Sequence, residues 1–216
     1  MLASASNLSW RHEEAVQSNG WKRIAGVDEA GRGCWAGPVV AGALIFLDRT
    51  ACPQDLNDSK KLSRATRKEL FHHLTSSKVI IWSVGVASVE EIERFNILQA
   101  THLAMRRALD GLAMAADFVI VDGRKVPALG KRQLALIGGD GISPSVAGAS
   151  ILAKESRDRL MEEMDTQFPH YGFAQHKGYG TTQHQKALQT HGVCAEHRRS
   201  FRPIAELLER PDATLI

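Results

Sequence analysis

Four carboxylates in this 216-residue chain stand where apolar runs end. Asp28 and Glu29 close the run Ile24-Ala25-Gly26-Val27 and lead into Gly31-Arg32-Gly33. Asp122 follows Phe118-Val119-Ile120-Val121 and precedes Gly123. Asp140 lies in Gly138-Gly139-Asp140-Gly141, just past Gln133-Leu134-Ala135-Leu136-Ile137. Acids gathered on one rim repel: two like charges ~4 Å apart cost about 4 kcal/mol at an effective dielectric of ~20. A hard divalent cation removes that cost. An all-oxygen set with no convergent Cys or His suits Mg²⁺ or Mn²⁺ rather than zinc. Such clusters support phosphodiester hydrolysis by two metal ions, one generating hydroxide from water and the other stabilising the leaving oxygen. The competing reading is a set of unrelated turn residues or salt-bridge partners. Three separate strand ends each carrying an acid argue against it.

The turn after Glu29 narrows the chemistry. Adjacent residues of a regular strand point to opposite faces. Asp28 and Glu29 are therefore expected to share a site through a break in the pleat, supplied by Gly31 and Gly33, because glycine accepts dihedrals that other residues avoid. A dinucleotide phosphate loop is excluded: the third glycine falls at Gly37, one position late for G-x-G-x-x-G, and the next element reads as a strand. Two carboxylates at the mouth would also repel a pyrophosphate.

Length points to one domain with room for a full core. Composition is ordinary at 44% hydrophobic and 24% charged, and the net charge of +3 excludes little by itself. Cys34, Cys52 and Cys194 form no C-x-x-C pair, which suits a reducing compartment. The longest apolar run, residues 39–47, is far short of a membrane span, and the polar N-terminus lacks a signal-peptide core. The expectation is a soluble, cytoplasmic, monomeric protein with no membrane partner.

The elements that must position the acids follow from periodicity. Residues 1–20 read as an N-terminal extension or loose helix pinned by Trp10. Strands are expected over 23–27, 39–47, 79–86, 118–121 and 133–137. Ser63 caps a helix, and Ser88 with Glu91 makes a capping box for another. Phe95, Leu98, His102, Met105, Leu109 and Leu112 recur at helical spacing and predict one apolar stripe, with His102 a half-buried core residue. Ser143-Pro144 starts a long helix that Phe168-Pro169 ends. The order predicts an α/β fold with a mixed five-stranded sheet flanked by helices. Its domains are 21–167 for the catalytic part and 168–216 for a C-terminal helical segment.

Several motifs in order resemble type 2 ribonuclease H, the ribonuclease HII family. They are Ala25-Gly26-Val27-Asp28-Glu29-Ala30-Gly31-Arg32-Gly33, Leu56-Asn57-Asp58-Ser59-Lys60-Lys61-Leu62, Asn96-Ile97-Leu98 and Val121-Asp122-Gly123. Gly139-Asp140, Ala149-Ser150-Ile151-Leu152-Ala153-Lys154, Arg157-Asp158, Tyr171 through Tyr179, and His197-Arg198-Arg199-Ser200-Phe201 complete the set. The resemblance implies a ribonuclease-H-like fold whose C-terminal helical segment closes over the substrate. It implies hydrolysis of RNA in RNA/DNA hybrids and cutting 5′ of single ribonucleotides in duplex DNA, leaving 3′-hydroxyl and 5′-phosphate ends. Ribonucleotide repair and RNA primer removal are the corresponding roles. Asp28, Glu29, Asp122 and Asp140 take the places of the family's metal-binding acids. Gly31, Arg32 and Gly33 take the place of its ribose reader, and Tyr179 that of the tyrosine sensing the RNA–DNA junction. Backbone groups bare of side chains can approach a 2′-hydroxyl closely, and Arg32 can hold the adjacent phosphate.

Residues 60–73 and 167–202 each carry five Lys/Arg against one Glu. Within the matched motifs, Lys60, Lys61, His176 and Lys177 are expected to contact substrate phosphates. Asp158 is expected to pair with a nearby Arg or Lys. His184, His191, Cys194 and His197 match no common zinc spacing and are set aside. Residues 204–216 show no sliding-clamp motif. The chain departs from the family pattern at Cys34-Trp35, where Pro-Leu is usual, at Gly148 for an alanine, at Glu155 for an apolar residue, and at Gly180 for a proline after Tyr179. These departures bear on stability and junction preference, since none touches an acid.

Overall fold

The computed structural model describes residues 7–209. One five-stranded sheet has the order β3-β2-β1-β4-β5, with strands β1 (Ile24–Ala30), β2 (Val39–Phe46), β3 (Ile80–Ala87), β4 (Phe118–Asp122) and β5 (Arg132–Leu136). The first three form an antiparallel meander; β4 lies parallel to β1 and β5 parallel to β4. Helices are α1 (Arg11–Ser18), α2 (Arg64–Ser76), α3 (Val89–Asp110), α4 (Pro144–Gln167), α5 (Phe173–His176), α6 (Thr182–His191) and α7 (Arg202–Leu208). Among the described residues no helix is long and apolar enough to cross a membrane.

Strand alternation sorts the core into two layers. Ala25, Val27, Ala41, Ala43, Val119 and Val121 pack with Ala100, Ala104 and Ala108 of α3. On the other face Leu44 meets Ala147, Ile151 and Leu152 of α4, and Ile24 and Ile120 meet Val146. α4 lies unusually close to the strands because β1 and β2 present glycine there. A Cβ on Gly42 would fall 3.0 Å from Leu152 Cβ, and one on Gly26 would collide with the Ser145 backbone. This approach brings the start of α4, and Asp140 just before it, against the end of β1.

The expected caps are present. Ser63, Ser88 and Ser143 each accept a backbone N–H, and Ser88 with Glu91 closes the capping box. The single apolar stripe on α3 is not. Asn96 breaks the helix with φ 66° and ψ 163°, and its side-chain oxygen accepts from Leu98 N and Gln99 N to start a second helical segment. The break rotates the register, so Phe95 and Leu98 face solvent while Ile92, Ala100, Ala104 and Met105 are buried. His102 is half-buried, as expected.

Trp10 does pin the N-terminal segment: its ring packs edge-on against Phe46 at 5.4 Å under the Arg49 guanidinium. The sequence reading missed Glu13. It is buried, and it accepts from Ser143 Oγ at 2.7 Å and Ser145 N at 3.2 Å, tying α1 to the start of α4. Residues 168–209 build a second, smaller core around Met161, Tyr171, Phe173, Leu188 and Ile204. Residues 1–6 and most of the tail read for a clamp motif lie outside the described residues.

Candidate active site

The break expected between Asp28 and Glu29 is absent. β1 runs unbroken to Ala30, pairing Asp28 with Gly42 and Glu29 with Ala41. The two acids therefore point to opposite faces: Asp28 with Ile24 and Gly26 toward α4, Glu29 with Val27 toward α3. They still lie close enough to feel each other and Asp122, because the β1–β4 ladder stops at Val27↔Val121 and leaves the last residues of β1 without a β4 partner. Asp122, on the α4 face of β4, and Asp140, ahead of α4, are near enough for their charges to reach Asp28.

The electrostatics tie the acids together. Burial pushes the Asp28 carboxyl well above its ordinary range, and Glu29, Asp122 and Asp140 push the same way. Burial also raises Glu29, with Arg32 opposing and Asp122 adding. Asp122 is raised by burial and by Asp140, against the Gly139 N–H that donates to its Oδ1 at 2.7 Å. Among the described residues, no three His, Cys, Asp or Glu side chains stand close enough as placed to enclose a metal ion. The donor set nevertheless fits a hard divalent cation in its chemistry. It is all carboxylate oxygen, mutually repelling, and includes an Asp28 side chain only 4% exposed.

Lys60 stands over these acids, its Nζ 3.0 Å from Asp140 Oδ2. Burial works against its charge, but the hydrogen bond and charge of Asp140, with Asp28 and Asp58, hold its pKa up. Lys61 is exposed on the same turn, its Nζ near Gly141. That turn is braced from below. Arg67 donates to Ser59 O and Leu62 O and pairs with buried Glu155 at 2.9 Å. Glu155 thus has a partner, although an apolar residue is usual there. Gly148 likewise leaves the space that Leu44 occupies, where a Cβ would fall 2.9 Å from Leu44 Cδ1.

Of two buried arginines that carry no assigned role in the motifs, Arg198 bonds to the Gly31-Arg32-Gly33 turn and Arg157 packs against Gly31. Arg157 donates to Ala36 O, Pro38 O and Lys177 O. Arg198 donates to Arg32 O at 3.0 Å, to Gly37 O and to Pro38 O. Gly31 is buried with φ +95°, whereas Arg32 and Gly33 are exposed, and Arg32 pairs with Glu29 at 3.2 Å. The backbone of the turn is thus fixed from behind and open in front.

Tyr179 is 47% exposed beside this turn. His176 and Lys177 are not open to a duplex as expected. His176 is buried, with Nε2 against Tyr171 O at 2.7 Å and Nδ1 accepting from Gly178 N. Lys177 is buried at φ 52°, its Nζ donating to Asp158 O and Glu162 Oε1. Both side chains spend their polar groups on holding the turn that carries Tyr179. Asp158 pairs with Lys154 at 2.7 Å, as expected. His184 Nε2 lies 2.9 Å from His197 Nε2, and His197 Nδ1 lies 3.1 Å from Cys194 Sγ. Burial pushes His184 down to about 4 and His197 to about 3, each also lowered by its histidine neighbours. The two rings and the thiol thus form a buried hydrogen-bonded chain.

A sheet of this order, with helices on both faces and acids at the ends of its central strands, is ribonuclease-H-like. A crystal structure of ribonuclease H2 from Pyrococcus horikoshii superposes with a TM-score of 0.69 at 25% identity, covering 85% of this chain and 96% of that one. A ribonuclease HIII structure in complex with Mn²⁺ shares the fold with a TM-score of 0.58 at 19% identity, covering 82% of this chain and 72% of that one. The model of the family Ribonuclease HII matches residues 25–204. Ribonuclease HII of Albidiferax ferrireducens is 53% identical over 185 residues, 86% of this chain and 88% of that protein. The chain belongs to the ribonuclease HII family of hydrolytic endoribonucleases.

Proposed function

We propose that this enzyme cleaves the RNA strand of RNA/DNA hybrids and cuts 5′ of single ribonucleotides in duplex DNA, leaving 3′-hydroxyl and 5′-phosphate ends. The observation that carries this reading is the juxtaposition of four acids from β1, β4 and the approach to α4 with an exposed, arginine-braced backbone turn. Asp28, Glu29, Asp122 and Asp140 would hold Mg²⁺ or Mn²⁺. When bound, the metal supplies an activated water and charge neutralisation at the scissile phosphate. The Mn²⁺ complex of the ribonuclease HIII that shares this fold is in keeping with such a cofactor.

The chain's own residues do the positioning. The Arg32-Gly33 backbone offers donors and acceptors to the 2′-hydroxyl, which alone separates RNA from DNA at a given position. Arg32 exchanges Glu29 for the neighbouring phosphate. Lys60 and Lys61 contact the backbone of the duplex. Tyr179 packs against the deoxyribose past the junction and disfavours a ribose there, because a buried hydroxyl without a partner costs about 1–3 kcal/mol. A non-catalytic hybrid-binding module would need an acid missing, and all four are present. Cutting of this kind serves ribonucleotide excision repair and RNA primer removal.

The test is cleavage of a DNA duplex carrying one ribonucleotide, with and without divalent metal, for wild type and Asp122→Asn. Mn²⁺ binding is followed by calorimetry in parallel. Wild type should cut only with metal, and Asp122→Asn should lose both cleavage and Mn²⁺ affinity while keeping its circular dichroism spectrum. Full cleavage by the variant refutes the assignment of the acids.

A further inference from the structure

The two departures on either side of the substrate face, Cys34-Trp35 and Gly180, are far apart in sequence yet touch in the fold. Gly180 is not in the left-handed region, so its backbone does not call for glycine. What calls for it is the Trp35 ring. A Cβ at position 180 would fall 2.6 Å from Trp35 Cη2 and closer still to Cζ2 and Cε2. The indole occupies the volume that a side chain at 180 would fill. The packing is anchored on both stretches of chain: Trp35 N donates to Gly178 O at 2.8 Å, and Arg198 N donates to Trp35 O at 2.8 Å. The indole also lies 5.7 Å from the His184 ring, and His184 Nδ1 is 3.0 Å from Tyr179 O. Burial raises the Tyr179 phenol pKa, and Cys34, itself fully buried, stands near enough to add to the rise. Tyr179 is therefore held at its carbonyl by His184 and flanked through Gly180 by the Trp35 ring.

We propose that Trp35 is a positioning residue for Tyr179, and that the interlocked Trp35–Gly180 pair sets how strongly the enzyme prefers an RNA–DNA junction over a continuous hybrid. The proposal rests on reading Tyr179 as the group that meets the deoxyribose. Trp35 itself need not touch substrate. Its ring fills the space beside the 179–180 turn and stops the tyrosine from swinging away from the cleft. The two positions should then be exchangeable only together.

The experiment compares kcat/KM for a duplex with one embedded ribonucleotide against kcat/KM for a long hybrid, at one salt concentration. The proteins are wild type, Trp35→Leu, Gly180→Ala, the double variant and Tyr179→Ala, with melting temperature as the folding control. Trp35→Leu should lower the ratio roughly two- to tenfold, the worth of one aromatic packing interaction in the transition state, with hybrid cleavage near wild type. Gly180→Ala, which collides with the indole, should lower it similarly. The double variant, with a methyl group returned to the space the indole left, should recover part of the ratio relative to either single change. Singles whose effects multiply in the double overturn the proposal, as does a Trp35→Leu ratio equal to wild type while Tyr179→Ala lowers it. If Tyr179→Ala leaves the ratio unchanged, it is the junction reading of Tyr179 that has failed, and the proposal falls with it. Should Gly180→Ala not fold, Trp35→Leu measured against Tyr179→Ala still decides.

Discussion

Gly31 and Gly33 look equivalent in a Gly-Arg-Gly turn, but the structure gives them different jobs, and alanine at each should fail differently. At Gly31 the backbone is left-handed, φ +95°, and an added Cβ would lie 2.5 Å from Arg157 Cδ and 2.8 Å from its Cζ. Arg157 is 1% exposed and cannot swing into solvent. It must give up some of its bonds to Ala36 O, Pro38 O and Lys177 O. Each hydrogen bond from a charged donor is worth about 1.5–3 kcal/mol, so losing one, with about 1–2 kcal/mol of backbone strain, costs roughly 2.5–5 kcal/mol. For a domain of this size that is a fall in melting temperature of roughly 5–20 °C. At Gly33 nothing lies within 4 Å of an added Cβ and φ is not left-handed, so the change in stability should stay within about 0.5 kcal/mol. Gly33→Ala should therefore melt like wild type yet lose cleavage of a single embedded ribonucleotide, because the methyl group stands on the open side of the turn. Thermal denaturation by circular dichroism and gel-based cleavage on the same preparations decide it. A Gly31→Ala protein that melts with wild type refutes the Arg157 wedge. A fully active Gly33→Ala protein refutes close approach of substrate to this backbone.

Asp28, Glu29 and Asp122 all have raised carboxyl pKa values when folded, so the folded state binds more protons than the unfolded one above the ordinary values of 3.8 to 4.5. Their contribution is thus full at acid pH and lost as pH rises through the raised folded values, and metal-free protein should lose stability over that interval. Asp28→Asn should flatten the fall in melting temperature with pH in EDTA, and an unchanged slope would count against the coupling of the acids. Lys60 has a side chain 74% exposed, so Lys60→Ala should cost under about 1 kcal/mol of stability. It should reduce the slope of log K against log salt for duplex binding by about one, and an unchanged slope would place Lys60 off the phosphate backbone. Tyr179→Phe should keep most of the junction preference, since the ring remains and only the hydroxyl is removed; a fall as large as that of Tyr179→Ala would mean that the hydroxyl, not the ring, does the sensing.

The amino-acid sequence alone determined the strands, the serine caps, the α/β class and the four acids, because these depend on local periodicity and on residues next to one another in the chain. It also carried enough ordered motifs to indicate the family. What it could not decide was direction and accessibility. Asp28 and Glu29 lie on a strand with no break in the pleat, and what stands beside them depends on where β4 stops pairing, a fact about a strand far along the chain. The α3 stripe failed because one asparagine with positive φ reset the register. His176 and Lys177 carry the residue types of phosphate ligands, yet tertiary packing closed over their side chains. Gly180 leaves room that the Trp35 ring fills from a distant stretch of chain. Arg198 reaches Arg32 O across 166 residues. Such pairings are set by how two faces meet in space, and no window of sequence contains both partners.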